Sequence, residues 1–272
     1  MSDWPNSLVL AGAGKMGGAM LAGWLEGGLP ATGVAVIEPH PSEPLSALAA
    51  RKGFRLNPAE GELAPPEALV LAIKPQMLDT AAPRLAAIAG AETLVVSVVA
   101  GKTIANLAAR FSARALVRVM PNTPAAVGRG ASAGAANAAV SARQRAWTER
   151  LMRAVGLFEW VEDEALIDAV TALSGSGPAY AFALVEAMAK AGEALGLPAD
   201  LAMRLARATV EGAGELMHRE PGVSAAQLRV NVTSPGGTTA AALAVLQGAE
   251  GLNPLLARAI AAAHRRAGEL AG

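Results

Sequence analysis

The stretch Leu8-Val9-Leu10-Ala11-Gly12-Ala13-Gly14-Lys15-Met16-Gly17 decides how this chain folds. Four apolar residues read as a strand, and Gly12, Gly14 and Gly17 follow at G-x-G-x-x-G spacing. Met20 to Trp24 then continue an apolar helix face. Strand, glycine turn and helix in that order predict the first unit of a Rossmann βαβ fold, which binds a dinucleotide. The three glycines serve different ends. Gly12 permits the tight turn, Gly14 lets the backbone approach a pyrophosphate, and Gly17 lets helix and strand pack closely. The helix N-terminus then faces the phosphates. Lys15 does not turn the motif into a P-loop, because the Gly-Lys-Ser/Thr ending is absent. A merely tight strand–helix turn is the competing reading, and the strand and helix on either side argue against it.

Outward from this motif, short apolar runs alternate with Ala-rich segments of helical length through the first 160 residues. The candidate strands are SLVLA, GVAVIE, GFRLN, ALVLAIK, TLVVSVVA, ALVRVMP and LFEWVE. Strands separated by helices imply a parallel sheet, and runs apolar almost throughout imply strands covered on both faces. After about Glu164 the strand signals stop. Helices follow, such as Ala179 to Leu195 and Ala199 to Met217, punctuated by GSGP (Gly175 to Pro178), Pro198, Pro221-Gly222 and SPGG (Ser234 to Gly237). The expected architecture is an α/β Rossmann domain, a mostly parallel doubly wound sheet over residues 1–163, followed by an all-α domain over 164–272. The helices of the second half carry apolar residues on more than one face, so they are expected to pack against other helices, including those of a second subunit.

Composition narrows the function. With 23 basic and 23 acidic residues and no long single-sign run, the chain lacks the electrostatic footprint of a nucleic-acid binder. It contains no cysteine, which excludes disulfides, thiol nucleophiles and thiolate metal sites and agrees with a cytoplasmic protein; redox chemistry here must use a cofactor. The mean hydropathy of +0.35 is high, yet the long uncharged stretches Ala169 to Val185 and Val230 to Ala249 are broken by Ser, Thr, Gly or Pro, so no membrane-spanning helix is expected. The first residues show no basic leader ahead of an apolar run, and no export signal is expected. His40, His218 and His264 have no metal-ligand spacing, and no metal is expected.

Candidate site residues cluster at strand ends. Glu38 ends the second strand, where a Rossmann unit places the acid that hydrogen-bonds the adenosine ribose. Alone it favours NAD, since a 2′-phosphate beside a carboxylate meets like charge. His40 and Ser42 offer donors to a phosphate, which leaves the preference open. Ala72-Ile73-Lys74-Pro75 closes another strand at its carboxyl end, the edge where open α/β sheets bind ligands. By position alone Lys74 reads equally well as a solvated residue. Val98-Val99-Ala100-Gly101 and Met120-Pro121-Asn122-Thr123-Pro124 end two further strands in the same way, although Asn122 and Thr123 also suit a proline-bracketed turn. In the helical half, Thr233-Ser234-Pro235-Gly236-Gly237-Thr238-Thr239 runs into the helix AAALAVL, placing hydroxyls and free N–H groups at a helix N-terminus. That arrangement binds anions, and it also describes an ordinary hydroxyl-capped helix.

Taken together, AIKPQ (Ala72 to Gln76), VRVMPNTPAAVGRG (Val117 to Gly130), ALSGSGPAY (Ala172 to Tyr180) and VTSPGGTT (Val232 to Thr239) resemble the pyrroline-5-carboxylate reductase family over nearly the whole chain. The resemblance implies reduction of 1-pyrroline-5-carboxylate to L-proline by NADPH or NADH, the last step of proline biosynthesis. It implies an obligate homodimer through interlocked helical domains, often assembled further into a decamer. Residue by residue it implies cofactor contacts at Gly12, Ala13, Gly14, Lys15, Met16, Gly17, Asn57, Ala72, Ile73, Lys74, Pro75 and Asn122, to which strand-end position adds Glu38 and Ala100. It implies a substrate loop of Ser234, Gly237, Thr238 and Thr239, with Ser176 and Gly177 lining the site. Glu38 departs from the small, hydroxyl or basic residues of many NADPH-preferring relatives.

Such a reaction makes modest chemical demands. Ketone reduction needs a positioned proton donor because an alkoxide develops, whereas a cyclic imine is basic enough to be protonated before hydride arrives. Orientation then becomes the main requirement. Hydroxyacid dehydrogenases of similar layout carry a lysine on the first long helix after a glycine-rich turn. Here that face presents Ala181 and Leu184, and Lys190 falls further on. Tyr180 lacks the lysine four residues later that marks a short-chain dehydrogenase pair, and it reads as packing. Thr239 and Ser234 are therefore the expected orienting residues. A reductase of another small cyclic imine and a non-catalytic dinucleotide-binding module are the alternatives.

Overall fold

A computed structural model of the chain describes residues 4–59 and 61–271. The first part alternates strand and helix: β1 (Leu8–Ala11), α1 (Lys15–Glu26), β2 (Val34–Ile37), α2 (Glu43–Lys52), β3 (Arg55–Leu56), β4 (Ala68–Leu71), α3 (Leu78–Ile88), β5 (Leu94–Ser97), α4 (Ile104–Ala108) and β6 (Ala115–Met120). Then come β7 (Gly130–Ala136), α5 (Ala142–Arg153), β8 (Gly156–Trp160) and α6 (Leu166–Val170). The eight strands form one sheet in the order β3-β2-β1-β4-β5-β6-β7-β8, parallel except where β7 runs antiparallel to β6. This is the doubly wound, mostly parallel sheet that the alternating pattern predicts.

Strands β1, β2, β4 and β5 are buried along their whole length because helices cover both faces. The two-residue side-chain period sends Leu8, Leu10, Val34 and Val36 into one core with Met20 and Trp24 of α1 and Leu151 of α5. Val9, Ala11, Leu69 and Leu71 enter the other core with Leu78 and Leu85 of α3. Trp24 donates its indole N–H to the Leu151 carbonyl at 2.8 Å, so α1 and α5 are pinned together as well as packed.

Two elements differ from expectation. GASAGAA over Gly130–Ala136 forms β7, which the sequence pattern does not announce, because glycine, alanine and serine have low strand propensity. Small residues are required there: a Cβ at Gly134 would lie 2.9 Å from the Phe158 ring, and one at Gly130 would lie 2.8 Å from the Val155 carbonyl oxygen. The GSGP segment interrupts the helices as expected, with a bend at Ser176 before a new helix starts at Gly177, but the turn leading into it is not an ordinary α-helix. Thr171–Gly175 wind as a π-helix, and the Ser176 N–H closes onto the Thr171 carbonyl at 2.8 Å. Hydroxyls of Thr171 and Ser174 donate back to the carbonyls of Ile167 and Val170, giving those helical carbonyls a second partner.

The described residues up to Ser176, with those from His264 onward, form one compact unit, and Gly177–Ala263 form a second. The remaining helices are α7 (Gly177–Ala194), α8 (Ala199–Arg219), α9 (Ala225–Asn231), α10 (Thr238–Leu246) and α11 (Leu252–Ala271). Within the second unit α7 packs along α8 through small residues: a Cβ at Gly192 would sit 3.3 Å from the Ala202 Cβ. Its buried hydrophobic residues are Ala189, Ala202 and Ala206, while Phe182, Leu195, Leu205 and Val245 are exposed. Among the described residues no helix is long and apolar enough to cross a membrane.

Candidate functional site

The carboxyl ends of β1, β2 and β4 are flush, since Ala11 is in register with Ile37 on one side and Leu71 on the other. Gly12, Glu38 and Ala72 therefore leave the sheet in one row. Gly12 donates its N–H to the Ile37 carbonyl and Ala72 donates to the Ala11 carbonyl, both at 2.8 Å. The row opens onto a cavity of about 670 Å³ that receives Gly12, Ala13, Gly14 and Lys15 from the glycine turn. Glu38 and His40 enter it from the β2 end, and Ala72, Ile73 and Lys74 from the β4 end.

Three glycines do three different things in this turn. Gly12 has φ +88°, and a Cβ there would approach the Ala72 carbonyl oxygen to 2.6 Å. A Cβ at Gly17 would fall 2.1 Å from the Gly12 carbonyl oxygen, so helix α1 starts against the turn only because nothing is there. At Gly14 an added Cβ meets no atom within 4 Å. The space it would fill lies at the N-terminus of α1, where no side chain caps the first-turn N–H groups. A cradle of open space beside uncapped amides fits the pyrophosphate of a dinucleotide.

Glu38 is fixed at both ends. Its carboxylate accepts the Ala13 N–H at 2.9 Å on one oxygen and the His40 N–H at 3.1 Å on the other. Its peptide is clasped by Asn57, whose side-chain oxygen accepts the Glu38 N–H and whose amide donates to the Glu38 carbonyl, both at 2.8 Å. Asn57 holds φ +50° to do so, a conformation asparagine tolerates better than most residues. Asn57, expected beside the cofactor, thus spends its side chain on the β2 end.

The other expected cofactor-side residues are spread along the same edge. Met16 packs against the first core and Gly17 is buried under the turn. Pro75 opens a short 3-10 turn, Pro75–Met77, after the exposed Lys74. Ala100 is exposed in the turn after β5. Asn122 is buried, and its side chain bridges within the fold: the amide donates to the Ser174 carbonyl at 2.9 Å and the oxygen accepts the Ala131 N–H at 2.8 Å. Sequence pattern passes over Leu48 and Met77, which also line the cavity, since isolated apolar residues at helical spacing signal core rather than ligand. It also passes over Arg118, buried on β6 and paired with Glu164 at 3.3 Å and Asp168 at 3.1 Å.

In the helical unit, Gly177 opens α7 and the SPGGTT segment forms a turn into α10. The Gly237 N–H donates to the Ser234 carbonyl at 3.1 Å across Gly236, which has φ +71°. Gly237 is the N-cap of α10 and supplies no side-chain cap. The N–H groups of Thr238 and Thr239 and the hydroxyls of Ser234, Thr238 and Thr239 are therefore gathered in one turn. Ser176 lies in the other unit, at the close of the π-helical segment.

Known proteins resemble this chain along its length. The family described as pyrroline-5-carboxylate reductase dimerisation matches residues 164–270, and the one described as NADP oxidoreductase, coenzyme F420-dependent, matches residues 7–101. The pyrroline-5-carboxylate reductase of Pseudomonas aeruginosa is 41% identical over 97% of this chain and 96% of its own. The solved pyrroline-5-carboxylate reductase of Coxiella burnetii superposes with a TM-score of 0.89 at 36% identity, covering 98% of this chain and 99% of that one. The pyrroline carboxylate reductase of Plasmodium falciparum, solved with NADP bound, has a TM-score of 0.79 at 25% identity over 98% of both chains. Identity of this extent, on a sheet whose β1, β2 and β4 ends frame a dinucleotide cradle, means that the chain belongs to the pyrroline-5-carboxylate reductase family.

Proposed function

We propose that this chain reduces the cyclic imine 1-pyrroline-5-carboxylate to L-proline, the last step of proline biosynthesis, with residues 1–163 holding NADPH or NADH and residues 164–272 supplying the substrate loop and the subunit contact. The observation that carries it is the 41% identity to a pyrroline-5-carboxylate reductase across 97% of the chain. The cavity at the β1–β2–β4 edge supports the cofactor half. When bound, the reduced nicotinamide supplies the hydride.

The chain's own residues then have to bind and orient. The amides of Gly14 to Gly17 take the pyrophosphate, and Ala72 to Pro75, with Ala100 and the backbone at Asn122, line the nicotinamide side. Ser234 and the first-turn N–H groups of α10 hold the substrate carboxylate, an anion at a helix N-terminus. The Thr239 hydroxyl accepts the N–H of the protonated imine, with Gly237 and Thr238 shaping the loop, and the family resemblance adds Ser176 and Gly177 as substrate-side residues. Because the nitrogen is already protonated, hydride arrival discharges a cation and no separate acid is needed.

Thr239→Ala is expected to lower kcat/KM on the order of tenfold to 100-fold, with residual turnover, because one orienting hydrogen bond is lost and the rest of the loop remains. Full turnover with unchanged KM in that variant would remove Thr239 from the site. The exposed apolar residues of the helical unit support association with a second copy, and the family resemblance extends this to a homodimer that associates further into a decamer. The absence of cysteine from the sequence supports a cytoplasmic location.

A further inference from the structure

The turn that follows β2 presents a carboxylate and no lysine or arginine. Glu38 presents a carboxylate, an acceptor-only group with about four lone-pair sites, of which the Ala13 and His40 N–H groups take two. The remaining sites match the donors of a ribose diol. A 2′-phosphate brings further negative charge and no donor. The rest of the turn brings no fixed positive charge: Pro39-His40-Pro41-Ser42-Glu43-Pro44 contains no lysine or arginine, and its side-chain donors are the His40 imidazole and the Ser42 hydroxyl, both in the cavity lining. Ser42 serves as the N-cap of α2, its oxygen accepting the Leu45 N–H, while Pro44 has no N–H to offer and Glu43 adds a carboxylate in the first turn. The cavity's two lysines leave from elsewhere, Lys15 from the start of α1 and Lys74 from the end of β4, which lies on the other side of β1 from β2. Strand spacing separates the β4 end from the β2 end by roughly 10 Å.

We propose that Glu38 makes this chain select the dinucleotide with a free ribose 2′-hydroxyl, NADH, over its 2′-phosphorylated counterpart, and that Asn57 is the positioning residue that holds Glu38 in place to do so. The selection rests on the dinucleotide-dependent reductase assignment above, but it is a property of binding and is measured without substrate. Equilibrium titration of the protein with NADH and with NADPH, followed by cofactor fluorescence or calorimetry, gives the ratio of dissociation constants. The wild-type chain is expected to bind NADH about tenfold to 100-fold more tightly, the equivalent of one or two charge-assisted hydrogen bonds. ADP-ribose and its 2′-phosphate, titrated in the same way, should show the same ratio, because the discrimination lies on the adenosine side.

Glu38→Ser removes the charge, and Glu38→Gln removes it while keeping the side-chain length and an oxygen that can still accept one of the two N–H groups. Both should shrink the ratio on the order of tenfold or more, chiefly by tightening NADPH. Asn57→Gly keeps the positive φ and deletes the clasp. It should lower the ratio severalfold, a change that a general loss of stability, acting on both cofactors alike, would not produce. A wild-type chain that binds NADPH as tightly as NADH, or Glu38→Ser and Glu38→Gln variants that keep the wild-type ratio, would overturn the assignment. If Asn57→Gly keeps the ratio, Asn57 loses its positioning role. A chain that binds NADH selectively but reduces no imine would leave this assignment standing and refute the reductase reading. An active reductase that favours NADPH would do the reverse.

Discussion

Gly12, Gly14 and Gly17 look alike in the sequence motif and differ in the structure by what each excludes. Gly12→Ala forces an alanine to φ +88° against the Ala72 carbonyl, and Gly17→Ala drives a methyl group into the Gly12 carbonyl. Each is expected to destabilise the fold by about 2–4 kcal/mol in denaturant unfolding. Gly14→Ala enters open space at an ordinary φ of −68°, so stability should change by less than about 0.5 kcal/mol. Its added methyl group would occupy the pyrophosphate cradle, and dinucleotide affinity should fall on the order of tenfold or more in a binding titration. Unimpaired cofactor affinity in a folded Gly14→Ala variant would place the phosphates elsewhere. The turn and packing roles of Gly12 and Gly17 were legible in the sequence because the spacing is local. The Asn57 clasp on Glu38 was not: 19 residues separate the two, and only the pairing of β3 beside β2 brings them together.

At the scale of elements, the sequence announced every strand whose residues were bulky and apolar and missed the one that must be small. β7 lies where Phe158 and the Val155 carbonyl leave no room for side chains, so packing overrides propensity. The break at GSGP was legible, since Ser176 bends there, but the π-helical turn before it was not, because one extra residue per turn leaves no mark on residue type. Arg118 links these parts. It stands on β6, pairs with Glu164 before α6 and with Asp168 within it, and Glu164 also accepts the Ile104 N–H at the start of α4. The Arg118 side chain is only 6% exposed, and its partners are 28% and 20% exposed. Removing the cation leaves two mostly buried carboxylates without a counter-charge. Arg118→Ala is therefore expected to cost about 3–5 kcal/mol in chemical denaturation. The triple change Arg118→Met, Glu164→Gln and Asp168→Asn should recover most of that loss, because it removes the charges together. A loss equal to that of the single variant would show that the cluster acts through shape rather than charge.

For the whole molecule, the two halves differ in how they are stabilised. The sheet carries its own core on both faces, whereas the described residues of the helical unit bury alanines and leave Phe182, Leu195, Leu205 and Val245 exposed. On the homodimer proposed above, a second copy of the chain covers this surface. Mass measurement in solution should find no species at the 27.3 kDa of one chain at micromolar concentration, and the thermal midpoint should rise with protein concentration. A monodisperse 27.3 kDa particle with a concentration-independent midpoint would contradict the dimer. Chemistry on the imine is the claim that joins both halves. Its most direct test supplies 1-pyrroline-5-carboxylate together with a reduced nicotinamide dinucleotide deuterated at the transferring carbon, and follows cofactor oxidation and the fate of the label. Substrate-dependent oxidation is expected, with one deuterium on the former imine carbon of L-proline for each cofactor consumed. Cofactor binding with no substrate-dependent oxidation, or proline formed without the label, would contradict it.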